Sequence, residues 1–217
     1  MTRALRVLSL VVAAACGAGA LAAQAPRLRA GASVVSVRAE SDVNGGRLRV
    51  GGTVLAGLGT TRVGPLEVDG RYLQGVLHPQ DGSAARRDLV QGELTLGYRA
   101  TPWLLAQSGV RARTYITPAI TERWLVWLVG VRAETPIIGE AAVGHVALWR
   151  SLASSVNVDP HDGRGSRGGD AGVTLQMPGR PWWLRLAYAI DRSVVDGAGR
   201  RETVEELTLT VGVVRPR

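Results

Sequence analysis

Apolar and polar residues alternate along this chain in about ten short runs between Ser33 and Val213. The clearest is Val90–Arg99. Val90, Gly92, Leu94, Leu96 and Tyr98 fall on one side, and Gln91, Glu93, Thr95, Gly97 and Arg99 on the other. Successive side chains of a strand point to opposite faces, so such a run has one apolar and one wet face. Arg47–Thr61 sets Leu48, Val50, Val54, Ala56 and Leu58 against Arg47, Arg49, Thr53 and Thr61. Trp182–Asp191 sets Trp182, Leu184, Leu186, Tyr188 and Ile190 against Arg185 and Asp191. Glu206–Val213 sets Leu207, Leu209, Val211 and Val213 against Glu206, Thr208 and Thr210. The period is 2, not 3.6, which predicts strands rather than helices.

The connections sort into two kinds. Thr61–Gly64, Ala100–Pro102, Thr135–Ile137 and Met177–Pro181 read as tight turns. Ser41–Gly46, His78–Arg87, Thr117–Thr121, Ser151–Gly169 and Ser193–Arg200 read as looser segments. Gly, Pro, Asp and Asn supply turn chemistry in both sets. Counted from the first run, the two kinds fall on opposite sides. Short periplasmic turns and longer external loops are the arrangement of an outer-membrane barrel, with both termini on the short-turn side. The fold class predicted is all-β: an antiparallel up-and-down transmembrane β-barrel of about ten strands, with eight as the alternative count.

The first residues read as an export signal. Arg3 and Arg6 form the charged start, Val7–Ala15 the apolar stretch, and Ala20-Leu21-Ala22 the small-residue cleavage site. The expected division is a signal peptide over 1–22, an N-terminal periplasmic segment over 23–31 and the barrel over 32–214. No apolar run reaches the roughly 20 residues of a spanning helix. Cys16, the single cysteine, falls inside the signal, so disulfides, thiolate catalysis and Cys-based metal sites are not expected in the mature chain. A lipoprotein would instead acylate Cys16 after Ala13-Ala14-Ala15, where a lipobox prefers Leu at the first position.

The net charge is +8, and all 26 basic residues are Arg. Arg is planar, always charged and suited to paired carboxylates. Nucleic acid is not an expected partner, because these residues are spread over strands of an exported chain. Outer-membrane lipids are, through lipopolysaccharide phosphates facing loop residues such as Arg86, Arg87, Arg164, Arg167, Arg200 and Arg201.

The residues expected to line the lumen are Arg38, Arg49, Glu67, Asp69, Arg71, Glu93, Arg99, Arg111, Arg113, Arg132, Glu134, Arg185, Asp191 and Glu206, with Glu40 and Arg47 on the same face. A barrel of about eight strands is just filled by its side chains. Opposite charges on neighbouring strands are therefore expected to pair across the interior, which favours a packed or narrow bore. Tyr98, Trp103, Trp182 and Trp183 flank short turns and Trp124 a looser one, as interfacial aromatic girdles would.

Together these features make the chain resemble small bacterial outer-membrane β-barrel proteins. The resemblance is one of architecture and covers nearly all of the expected mature chain. It implies outer-membrane localisation and the barrel-assembly machinery as a partner. Such proteins usually close the last strand with an aromatic residue; this chain has no Phe and runs out through Val213-Val214-Arg215-Pro216-Arg217.

Candidate chemistry is sparse. Asp159, His161 and Asp162, with Asp170 closing the same expected loop, could orient a general base or offer oxygen ligands to Ca²⁺. The EF-hand spacing is absent, and so is any Gly-x-Ser-x-Gly frame. No cofactor and no metal is expected. The reading is a structural or adhesive barrel, or a narrow solute passage, and not an enzyme. The alternatives are an outer-membrane hydrolase acting through its external loops and a soluble periplasmic lipocalin-like or β-sandwich binding protein.

Overall fold

The structure, a computed structural model, describes residues 27–43, 46–80, 85–139, 141–157, 163–177, 179–195 and 200–215. The export signal, Asp159, His161 and Asp162 lie outside them. Ten strands follow one another: β1 (Arg27–Val43), β2 (Gly46–Val63), β3 (Leu66–Pro79), β4 (Arg87–Thr101), β5 (Leu104–Ile116), β6 (Thr121–Ile138), β7 (Ala142–Val156), β8 (Gly163–Gln176), β9 (Trp182–Val195) and β10 (Arg200–Val214). Each pairs antiparallel with its chain neighbours, and β1 pairs with β10 from Arg29↔Val214 to Asp42↔Arg201, so the sheet closes on itself. Closure leaves no open edge, which is what a sheet needs in a medium that cannot hydrogen-bond. The turn between β2 and β3 is 64–65, and Gly64 supplies the positive φ, 58°, that a tight hairpin requires.

Three boundaries differ from the sequence reading. β1 starts at Arg27, inside the segment assigned to a periplasmic lead-in. The expected loose Ser41–Gly46 connection is only 44–45, because β1 and β2 stay paired up to Val43↔Gly46. The expected Ser151–Gly169 loop is cut into from both sides, since β7 runs to Val156 and β8 begins at Gly163. Most of its second half is strand β8, whose Gly165, Gly168 and Gly169 carry no side chains to show an alternation. Asp170, read as the close of that loop, is therefore a strand residue paired with Ala147 and Ala189.

The outer wall is apolar over most of its height. Leu55 (68% exposed), Leu94 (55%), Leu148 (61%) and Leu186 (53%) all face outward. A water-soluble sandwich or lipocalin would expose no such continuous belt; a bilayer covers it. The strands, 13 to 18 residues long, exceed the roughly 9–11 residues needed to cross, so one end projects beyond the belt. Tyr98, Trp103 and Trp182 sit exposed near the short-turn end. Trp124 and Trp183 do not join them: both turn inward and are buried, because each lies on the inward register of its strand.

Candidate functional site

The interior is built in three layers. At the short-turn end, Glu67 on β3 pairs with Arg99 on β4 (3.0 Å) and with Arg132 on β6. Glu134 takes the same two guanidiniums at 2.8 and 3.0 Å. Asp69 accepts from Thr60 Oγ1 at 2.6 Å and faces Arg132 at 3.7 Å. The cross-strand register brings these groups together: Glu67 is opposite Gly97 and Asp69 opposite Thr95, so neighbouring side chains meet over the bore.

The middle layer is a second network. Arg111 binds Glu93 through Nε (2.7 Å) and Asp191 through Nη1 (2.8 Å). Arg113 reaches Asp191 at 3.3 Å and Gln91 at 2.6 Å, and Ser166 Oγ donates to Asp191 Oδ1 at 2.6 Å. Arg71 binds Glu206 at 2.7 Å. The Arg111 guanidinium also lies 5.2 Å above the Trp149 ring. His145 on β7 points inward and is buried. Its Nε2 lies 2.6 Å from Asp170, and Arg185 holds Asp170 at 3.1 Å. This His145–Asp170–Arg185 group was missed because it joins three strands through positions lost in the glycine-rich stretch.

The third layer is apolar. Val35 and Val37 of β1, Val50 and Val54 of β2, Leu73 and Leu77 of β3, Leu89, Tyr115, Trp124, Val156 and Val204 form one buried cluster in the half of the bore away from the short turns. All face inward, yet Val35, Val37, Leu73 and Leu77 are 0% exposed. A water-filled channel would leave inward side chains wet, so this half is packed shut. Beside it, Glu202 accepts from Tyr115 Oη (2.9 Å) and Glu122 from Trp124 Nε1 (2.5 Å), with Arg200 between the two carboxylates.

The apolar layer explains the misplaced lumen residues. Arg38 and Arg49 face outward, as do Glu40 and Arg47. On β1 and β2 it is the apolar register, Val35, Val37, Val50 and Val54, that turns inward. A greasy face meets lipid only where the strand lies within the bilayer. Here the strands outrun the bilayer, and their outward face beyond it meets water. Arg47 and Arg49 both bind Glu40 there, at 3.1 and 3.0 Å. The other twelve expected residues face the interior.

The networks leave two adjoining cavities. One of about 170 Å³ lies among Arg71, Glu93, Arg111, Asp191 and Glu206. The other, of about 200 Å³, opens at the short-turn end among Arg27, Arg29, Arg62, Arg99, Arg132, Glu134 and Trp183. On the outer wall, at the other edge of the belt, Arg150, Arg167 and Arg192 of β7, β8 and β9 are directly opposed in register and exposed.

No family model and no curated protein matches the sequence. Among solved structures, the outer membrane protease OmpT from Escherichia coli superposes with a TM-score of 0.53 at 11% identity, covering 87% of this chain and 95% of that one. The translocator domain of the autotransporter NalP from Neisseria meningitidis gives 0.47 at 16% identity, covering 96% of this chain and 93% of that one. Neisserial surface protein A gives 0.38 at 14% identity, with 88% and 97% covered. At these identities the likeness is one of fold. The chain has the architecture of the bacterial outer-membrane β-barrels.

Proposed function

We propose that this chain is a closed, non-conducting barrel of the outer membrane with a structural or adhesive role. The observation that carries this reading is the buried apolar cluster across the far half of the bore. Solute would have to displace fully buried Val35, Val37, Leu73 and Leu77, each of which contributes roughly 1.5–3 kcal/mol by being buried. Below it, the salt-bridged layers tie seven strands, β3 to β6 and β8 to β10, into one rigid wall. The test is conductance in planar bilayers of protein shown to be folded by heat-modifiable gel migration. The reading expects silence; steady single-channel steps from the folded protein would support the passage reading instead.

The barrel's partner on this reading is the phosphate-bearing lipid of the outer leaflet. Like charges directly opposite on adjacent strands destabilise a sheet unless an anion lies between them. Arg150, Arg167 and Arg192 hold that relation across three strands, just past the apolar Leu148 and Ile190. Elsewhere on the same rim Arg49 and Arg47 have Glu40. Lipopolysaccharide phosphates would answer the arginine row, since guanidinium binds phosphate in a bidentate fork.

A further inference from the structure

The short-turn end of the bore holds charge that the ion-pair networks do not absorb. The cavity of about 200 Å³ is lined by six arginines and three carboxylates. The carboxylates Glu67, Asp69 and Glu134 are all engaged by Arg99 and Arg132. Arg185 is engaged by Asp170. That leaves Arg27, Arg29 and Arg62, none of which meets a carboxylate among the described residues. Among the described residues, Arg29 donates from its side chain only to the Gln176 side chain, at 3.2 Å, and Arg62 only to the backbone oxygen of Gly64, at 3.2 Å.

Their placement is not incidental to the register. Arg27 is the direct cross-strand partner of Arg62, and both side chains lie on the inward face. Arg29 is the next inward residue of β1. Two like charges directly opposed repel one another, and a low-dielectric wall focuses their combined field into the cavity. With Arg99, Arg132 and Arg185 set against Glu67, Asp69, Glu134 and Asp170, the six arginines leave the pocket two positive charges in excess. The apolar layer seals the far end, so a ligand can enter only from the short-turn side.

We propose that this vestibule is a binding pocket for a small doubly charged oxyanion, a phosphate or a dicarboxylate, taken up from the periplasmic side. Arg29 and Arg62 grip it through the guanidinium nitrogens not used by Gln176 and Gly64. Arg27 draws it in at the rim, and the Gln176 amide supplies a further N–H. The blind end, which follows from the closed-barrel reading, makes this a pocket rather than a conduit.

The test is titration calorimetry on the folded full-length barrel in detergent micelles, with inorganic phosphate, succinate and chloride as separate probes. Saturable one-to-one binding of phosphate or succinate, and none of chloride, is expected. Phosphate alone would identify a phosphate pocket, and both would identify a general dianion pocket. Arg29→Gln and Arg62→Gln should each weaken binding about tenfold, the loss of one charge-assisted hydrogen bond. Arg62→Lys should keep part of the affinity, and Arg49→Gln on the outer rim, where Arg49 is held by Glu40, should change nothing. Absence of saturable binding, or binding indifferent to both Arg29→Gln and Arg62→Gln in variants that still show heat-modifiable migration, overturns the pocket. A conducting barrel that binds phosphate would overturn the closed bore and leave the pocket standing.

Discussion

Asp191 is the most heavily shared carboxylate of the middle layer, so replacing it by Asn measures how far that layer holds the barrel. The side chain is buried and accepts from Arg111 (2.8 Å), Arg113 (3.3 Å) and Ser166 (2.6 Å). Asn keeps the volume and opens no cavity, so the effect is electrostatic. Breaking a buried pair by neutralising one partner costs about 3–5 kcal/mol when the other charge is stranded. Here Arg111 keeps Glu93 at 2.7 Å and Arg113 keeps Glu202 at 3.4 Å, which places the loss at the low end, about 3 kcal/mol. Removing a stranded guanidinium as well, in Asp191→Asn with Arg111→Gln, should make the double loss smaller than the sum by about 1 kcal/mol or more. Glu40→Gln on the outer rim is the control. Its partners are half exposed, and its loss should stay within about 0.5 kcal/mol. Reversible urea unfolding in lipid vesicles, followed by tryptophan fluorescence, gives all four values. If Asp191→Asn costs no more than Glu40→Gln, the lumen is wet enough to screen its charges and the interior is not packed.

Leu186→Arg puts a charge on the lipid-facing belt and should cost about 2–4 kcal/mol in vesicles; a loss near zero would mean that this face meets water. Leu73→Ala should cost about 2–5 kcal/mol by opening a void in the apolar layer, read from the same unfolding curves, and a loss below 1 kcal/mol would mean that the layer is loosely filled. Wild-type protein should unfold at higher urea in vesicles containing lipopolysaccharide than in phosphatidylcholine alone. The Arg150→Gln, Arg167→Gln, Arg192→Gln triple variant should lose most of that difference; an equal shift in both proteins would remove the arginine row as the phosphate contact.

Much of the barrel was legible because strand period and membrane chemistry coincide. On β4, β9 and β10 the outward residues meet lipid and the inward ones meet charge, so Val90–Arg99 shows both faces at once. Where the two diverge, the sequence misleads. β1 and β2 carry the same alternation with the faces exchanged, since Val35 and Val50 pack inside while Arg38 and Arg49 stand in water. Period alone says that two faces differ, not which medium each one meets. Glycine hid the rest. Around Gly165, Gly168 and Gly169 only Ser166 points inward before Asp170, too little alternation to read as a strand, and this took Asp170, and with it the His145–Asp170–Arg185 group, out of view. Pairing partners within the lumen, such as Arg111 with Asp191, depend on cross-barrel distance, which no local pattern carries.

The central claim is that the far half of the bore is dry and filled, and site-directed labelling reads this directly. In a chain with Cys16 replaced by Ala, single cysteines at Leu77, Gln80 and Arg27 can be challenged with a membrane-impermeant maleimide in folded proteoliposomes. Leu77 is fully buried inside the barrel, whereas Gln80 and Arg27 are exposed at its two ends. The account predicts rapid labelling of Gln80→Cys and Arg27→Cys from opposite sides, and none of Leu77→Cys until urea unfolds the protein. Rapid labelling of folded Leu77→Cys would contradict it.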